Sequence, residues 1–90
     1  MQTVSAAFVK KWFRLGVHGE ASLRHHPERD SWIIFLSSET QPETNAYVAC
    51  TRGHVREFKK LQTAVDTARA MGFQTMTLEY EAAELDAENL

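Results

Sequence analysis

Apolar and polar residues alternate along the first sixteen positions with the period of an α-helix. The apolar side of this repeat carries Phe8, Val9, Trp12, Phe13 and Leu15. Thr3 or Ser5 can cap the start of the helix and Gly16 can end it, because these residue types favour the two ends of helices. The opposite side carries Lys10, Lys11 and Arg14. The pattern therefore predicts an amphipathic first helix with a basic outer face.

After this helix, apolar and polar residues alternate with a period of two, which predicts β-strands. The strands are predicted over residues 21–25, 32–37, 46–52, 55–58 and 73–80. Residues 32–36 are continuously apolar, which is typical of a strand in the middle of a sheet. Residues 38–45 are polar and predict an exposed loop. Gly53 tolerates a positive φ, so we expect it to form the turn of a hairpin between the third and fourth strands.

A second helical repeat comes after the predicted hairpin. It is formed by Leu61, Ala64, Val65, Ala68 and Met71 and ends at Gly72. The predicted order is α-β-β-β-β-α-β, an α+β domain with two helices on one face of an antiparallel sheet of about four to five strands. We expect one domain over residues 1–80, followed by an acidic C-terminal tail over residues 81–90. The predicted core consists of Phe8, Trp12, Phe13, Ile33, Phe35, Val48, Leu61, Val65, Met71 and Leu78.

The composition and the cysteine content predict the cellular compartment of the protein. The 90 residues are 43% hydrophobic and 24% charged, as in an ordinary globular domain with one core. The longest apolar run is too short to span a bilayer, and the first residues lack the apolar region of a signal peptide. The single cysteine, Cys50, fits a reducing compartment, although it would also allow a bridge to another chain. We therefore expect a cytoplasmic protein with no membrane segment.

The net charge of −2 is distributed unevenly along the chain. The last twelve residues contain five acids and no lysine or arginine: Glu79, Glu81, Glu84, Asp86 and Glu88. Without them, ten basic residues stand against seven acidic ones over positions 1–78, a net charge of +3. The acidic end is a solvated surface, a contact for a basic partner, or a cover for the protein's own basic face.

No catalytic or metal-binding pattern emerges from the candidate residues. His25 and His26 are adjacent on a predicted strand, so their side chains leave on opposite faces and do not share one metal ion. Cys50 and His54 can meet across the predicted hairpin, but no third orienting group accompanies them. The glycines form no phosphate-binding cluster. We expect a protein that binds rather than catalyses, with no cofactor.

A mixture of cations and flat rings around the sheet and hairpin favours nucleic-acid binding. The candidate residues are Arg24, Trp32, Tyr47, Arg52, His54, Arg56, Lys59 and Lys60. Such a set can hold phosphates by charge and bases by stacking. The sequence pI of about 6.0 is low for a protein dedicated to binding duplexes, so partners other than nucleic acid are also considered.

Three short stretches carry a resemblance to a known group of proteins. They are residues 12–15, which with Gly16 form the pattern Trp-Phe-x-Leu-Gly, residues 52–58, with Arg-Gly-x-x-Arg-x-Phe, and the start of the second helix at residues 61–65. In these patterns the chain resembles small accessory proteins of proteobacterial plasmids and integrative elements, some of them related to replication or partition. The resemblance implies a mobile-element context and carries no mechanism.

The alternative function is a small regulator or inhibitor that binds a host protein. Its candidate contact residues are the acidic ones, Glu79, Glu81, Glu84, Asp86 and Glu88. Carboxylates presented in this way can occupy a basic groove on a partner. An open edge of the predicted sheet would also allow pairing with a second copy of the chain.

Overall fold

The computed structural model describes residues 3–14, 19–38, 43, 45–49 and 53–80, and describes the main chain but not the side chains of residues 12 and 13. The chain forms five strands and two helices in these parts, which confirms the α+β class. The elements are β1 (Thr3–Ser5), α1 (Ala6–Arg14), β2 (Glu20–His26), β3 (Ser31–Ser37), β4 (Ala46–Ala49), α2 (Leu61–Met71) and β5 (Met76–Glu79).

The five strands form one mixed sheet in the order β1-β4-β3-β2-β5. β3 is antiparallel to both of its neighbours, whereas each edge strand is parallel to the strand beside it. The expectation of a purely antiparallel sheet was therefore wrong in this detail. The reason is that each helix connects two strands that run in the same direction, β1 to β2 and β4 to β5, and parallel strands need such a crossover.

The first helix begins at Ala6, directly after Ser5, which was one of the two predicted caps, but Phe8 does not face the core as predicted. Residues 3–5 form β1, and the Ser5 hydroxyl accepts a hydrogen bond from the Phe8 amide at 3.3 Å, as a capping side chain does. Val9 is fully buried, whereas Phe8, predicted to lie in the core, is 55% exposed. Because α1 follows β1 without a loop, the pairing of β1 on β4 sets the rotation of the helix.

The core lies between the two helices and one face of the sheet. α2 contributes Ala64, Ala68 and Met71, and it ends at Gly72, where φ is 117° and the amides of residues 72 and 73 bond to the last turn. The sheet contributes every second residue of its inner strands. These are Ala21, Leu23, Trp32, Ile34, Leu36, Ala46 and Val48. Alternation then places the intervening side chains on the opposite face.

Three further residues predicted for the core lie outside the cluster between the sheet and the helices. Ile33 is fully buried, but on the sheet face opposite the helices, and Phe35 is half-buried on that same face. Leu78 is 44% exposed because β5 is an edge strand. The continuous apolar run of β3 reflects burial of side chains on both of its faces. The run therefore did not show which alternate residues face the helices.

The predicted hairpin after β4 takes a different form. Gly53 has the expected positive φ of 83°. However, the described chain beyond it forms no second strand, and makes only two isolated bridges, between Val55 and Ala49 and between Phe58 and Trp32. The segment thus crosses from β4 to the start of β3 before it enters α2.

Candidate nucleic-acid interface

Residues 53–60 carry four of the basic residues predicted for binding, on a main chain that is fixed to the sheet. The Arg56 amide donates to the Val48 carbonyl at 2.9 Å. Phe58 and Trp32 exchange two main-chain hydrogen bonds, of 2.8 and 2.7 Å. The side chain of Phe58 adds an anchor because it is only 3% exposed and belongs to the core. The polar side chains around it therefore extend from an ordered backbone.

Glu57 ties this segment to the turn between β2 and β3. Its Oε1 accepts a hydrogen bond from the Ser31 hydroxyl at 2.7 Å, and its Oε2 accepts one from Arg29 Nη1 at 2.6 Å. The Lys59 ammonium adds a third link by donating to the Arg29 carbonyl at 3.0 Å. Both carboxylate oxygens of Glu57 are thus occupied within the protein.

These contacts determine the charge state of Glu57. Burial acts to raise the pKa of its carboxyl, but the Ser31 hydrogen bond and the positive charges of Arg29 and Lys59 outweigh burial and hold the pKa below its usual value of 4.5. Because the folded-state pKa is the lower one, the ionised carboxylate stabilises the fold fully above the unfolded-state pKa. That stabilisation is lost as pH falls through the folded-state pKa.

The Glu57→Gln variant should therefore lose less stability in acid than the unsubstituted protein. Its free energy of unfolding should be lower at pH 7, because the charged contacts to Arg29 are gone, and the gap should narrow below about pH 4.5. Urea denaturation at pH 7 and at pH 3 measures both effects. A gap of equal size at the two pH values would contradict the assigned role of the carboxylate.

The basic side chains of residues 53–60 are open to solvent. His54, Arg56, Lys59 and Lys60 are all exposed, and the Arg56 guanidinium carbon lies 4.7 Å from the centre of the Phe58 ring. Among the described residues, no carboxylate forms an ion pair with Arg56, Lys59 or Lys60. Arg29, which is 49% exposed at its side chain, lies beside them through its contact with Lys59. We call Arg29, His54, Arg56, Lys59 and Lys60 the basic surface; within it, the Glu57 carboxylate compensates the charge of Arg29.

Arg24 belongs to a different part of the molecule. Its side chain is 14% exposed and lies on the sheet face opposite the helices, where Nε donates to Glu79 Oε2 at 2.8 Å and Nη1 to the Tyr47 hydroxyl at 3.1 Å. The guanidinium carbon lies 4.1 Å from the centre of the Phe35 ring. Arg24 thus joins β2 to β5 and β4, and its charge is compensated by Glu79. These contacts give it a structural role.

Replacing Arg24 by alanine should reduce the free energy of unfolding by about 2–4 kcal/mol. The change removes a partly exposed ion pair worth about 0.5–1 kcal/mol, a charged hydrogen bond of about 1–2 kcal/mol and a contact with an aromatic ring of about 0.5–1 kcal/mol. Urea denaturation measures the loss, and Glu79→Gln should show only part of it. Full stability of Arg24→Ala would contradict this role.

Two rings predicted to stack on bases are not available for stacking. Trp32 is 7% exposed within the core, and Tyr47 is 4% exposed on the opposite face. Trp32 contributes instead to a cluster of rings at the end of the sheet, 5.0 Å from His25 and 5.2 Å from Tyr80 between ring centres. We therefore leave both residues out of the basic surface.

The remaining candidates divide between the described and undescribed parts of the chain. Glu79 is described and pairs with Arg24. Arg52 and Cys50, together with Glu81, Glu84, Asp86 and Glu88, lie outside the described residues. His25 and His26 leave β2 on opposite faces, and within the described ranges no three histidine, cysteine or acidic side chains gather as a metal site.

The chain was compared with known protein families, with curated proteins and with solved structures. None of the three comparisons finds a match. In the part of the chain that the structure describes, neither helix has the length and apolar character needed to cross a membrane. The basic surface must therefore be interpreted from its own geometry.

Sequence reasoning missed Arg29, Ser31 and Glu57 as members of this site. Each of them looks like an ordinary turn or strand-end residue in the sequence. They come together only because residues 55–58 cross to the start of β3, which local periodicity does not reveal. The strongest available signal was the position of Arg29 in the turn just before β3.

Proposed function

We propose that this protein is a non-catalytic binding module that contacts the phosphate backbone of nucleic acid through its basic surface. The observation that carries the proposal is a group of exposed cations on a main chain fixed to the sheet: Arg56 and Lys60, which form no ion pair with a described carboxylate, and Lys59 beside them. Cations held in this way neutralise phosphates and release the counterions that surround them. Little conformational freedom of the backbone needs to be lost on binding.

The proposed contact is with phosphates rather than with bases. The rings of Trp32 and Tyr47 are buried, so they do not stack on bases. The exposed flat side chains of the basic surface are the guanidinium groups of Arg29 and Arg56 and the imidazole of His54. Phosphate contacts position a protein on nucleic acid but carry no sequence information. We therefore expect binding that is independent of sequence.

Fluorescence anisotropy with labelled duplexes tests this function. At about 50 mM salt, two duplexes of unrelated sequence should bind with micromolar dissociation constants that agree within about twofold, in the range of non-specific binding. A single strand should bind in the same range, because phosphates are common to both. The absence of binding at about 100 μM protein would overturn the proposal, and a preference above about 100-fold for one duplex would overturn the phosphate-only contact.

A second candidate function is supported by an exposed apolar patch at the edge of the sheet. Leu78 is 44% and Tyr80 60% exposed, and both lie at the edge strand β5, just before the acidic residues. Exposed apolar side chains beside an open edge are typical of protein contacts. A protein regulator would bind its partner here, and Leu78→Ser should then weaken a partner captured by pull-down without affecting the binding of DNA.

The biological setting proposed for either function is a plasmid or another mobile element. Support comes from the resemblance of residues 12–15, 52–58 and 61–65 to accessory proteins of such elements. The lone Cys50 supports a reducing, cytoplasmic compartment. An accessory protein that binds nucleic acid without sequence preference would assist replication or partition by occupying the DNA of the element.

A further inference from the structure

Arg29 is held through only one of its guanidinium nitrogens. Its Nη1 donates to Glu57 Oε2 at 2.6 Å, whereas Nε and Nη2 form no hydrogen bond within the part of the chain that the structure describes. A guanidinium carries five N–H donors in a planar fork, so most of the donors of Arg29 remain available. The side chain is 49% exposed, and a ligand can therefore reach these donors.

The fixed orientation of Arg29 originates in the interior of the protein. Ser31 is fully buried, and its hydroxyl donates to Glu57 Oε1 at 2.7 Å. The other oxygen of Glu57 accepts from Arg29, and the Lys59 ammonium donates to the Arg29 carbonyl at 3.0 Å. A line of contacts thus runs from Ser31 through Glu57 to the basic surface. A side chain that is already held loses less conformational freedom when it binds a ligand.

Glu57 has two opposing effects on a phosphate at this surface. Its negative charge repels the phosphate and cancels the net charge that Arg29 would contribute. In contrast, the carboxylate holds the guanidinium in one geometry, and a planar guanidinium can donate two parallel hydrogen bonds to phosphate oxygens. Both oxygens of Glu57 are occupied within the protein, which leaves the unused donors of Arg29 for a ligand. The contacts therefore favour the second effect.

We propose that Glu57 is a positioning residue of the basic surface, and that it fixes Arg29 so that the free N–H groups of the guanidinium donate to a phosphate. The proposal rests on the proposed function, since the ligand is the phosphate backbone of nucleic acid. Arg29 then contributes directed hydrogen bonds, whereas Arg56 and Lys60 contribute net charge and the release of counterions. An acidic residue thus strengthens the binding of a polyanion.

Neutralising Glu57 tests the proposal because positioning and charge predict opposite results. At about 50 mM salt, Glu57→Gln should bind a labelled duplex about threefold more weakly, because a long side chain must then be ordered on binding. The matched control is Glu28→Gln, which removes the same charge from the turn that carries Arg29. Glu28 is exposed and forms no ion pair among the described residues. Its replacement should leave the affinity equal or raise it by up to about threefold, because exposed charges interact weakly.

Variants at Arg29 test the same role at a half-exposed position, where a substitution disturbs the fold little. Arg29→Lys keeps the charge but loses the planar fork, so it should weaken duplex binding about threefold with an unchanged dependence on salt. In the Arg29→Ala background, Glu57→Gln should cause no further loss, because Glu57 acts on the phosphate only through Arg29. Urea denaturation at pH 7 confirms that each variant is folded under the conditions of binding.

The outcomes separate this proposal from the function on which it rests. Unchanged or tighter binding by Glu57→Gln, or full affinity of Arg29→Lys, would overturn the positioning role. A loss of equal size in the Arg29→Ala background would also overturn it, because Glu57 would then act through the fold. If Arg56→Ala/Lys60→Ala still weakens binding in these cases, the proposed function stands without the positioning role. If the unsubstituted protein binds no duplex, both proposals fail.

Discussion

Replacing Leu36 by alanine should reduce the free energy of unfolding by about 3–5 kcal/mol. Leu36 is fully buried in the core. Its partners on the two neighbouring strands are Ala21 and Ala46, so the side chains directly across from it on both sides are small. The cavity would therefore stay largely unfilled, which places the cost at the upper end for this type of change. A domain of this size has a total stability of about 5–10 kcal/mol.

Thermal and urea denaturation of Leu36→Ala measure this loss, with Phe8→Ala as the matched control. Phe8 is larger than Leu36 and was predicted from the sequence to lie in the core, but it is 55% exposed. Its replacement should change the free energy of unfolding by less than about 1 kcal/mol. If Phe8→Ala were the more destabilising of the two, the rotation of α1 described above would be wrong.

The second large effect concerns binding. Removing two cations of the basic surface in Arg56→Ala/Lys60→Ala should weaken duplex binding about tenfold or more at about 50 mM salt, because each lost phosphate contact also loses the release of a counterion. Neither side chain supports the fold through an ion pair with a described residue. The variant should therefore remain folded, apart from the loss of the Arg56 contact with the Phe58 ring.

The control for this variant is Lys10→Ala/Lys11→Ala. It removes the same net charge from exposed positions on the outer face of α1, which is also basic. We expect it to retain duplex affinity within about threefold, because a long-range effect of charge is screened over about 10 Å at 0.1 M salt. Equal losses for the two variants would assign binding to the overall charge rather than to the basic surface.

The elements that sequence predicted well are those whose pattern is local. The apolar repeat from Leu61 to Met71 forms the helix α2, which ends at Gly72 as the spacing and the glycine predict. In contrast, β1 contains three residues with one buried side chain, too few for a periodic signal. Its pairing with β4, more than forty residues away, is set by the whole fold. Local propensity therefore gave the class of the fold but not its mixed sheet.

The candidate site shows the same division between local and distant information. Sequence reasoning assigned Arg24 to a basic surface and Glu79 to an acidic one, yet the two are register partners in the parallel pair of β2 and β5 and neutralise each other. The cluster at Arg56, Lys59 and Lys60 was predictable because it is contiguous. The burial of Trp32 and Tyr47 was not, since amphipathic aromatic residues occur in cores and on surfaces alike.

The dependence of duplex affinity on salt tests most directly whether the basic surface binds nucleic-acid phosphates. For three to four phosphate contacts, the logarithm of the binding constant should fall with the logarithm of salt concentration with a slope of about −3. Arg56→Ala/Lys60→Ala should reduce the magnitude of this slope by about 1.8, and Lys10→Ala/Lys11→Ala should leave it unchanged. An identical slope for all three proteins, or no binding at low salt, would contradict the proposed function.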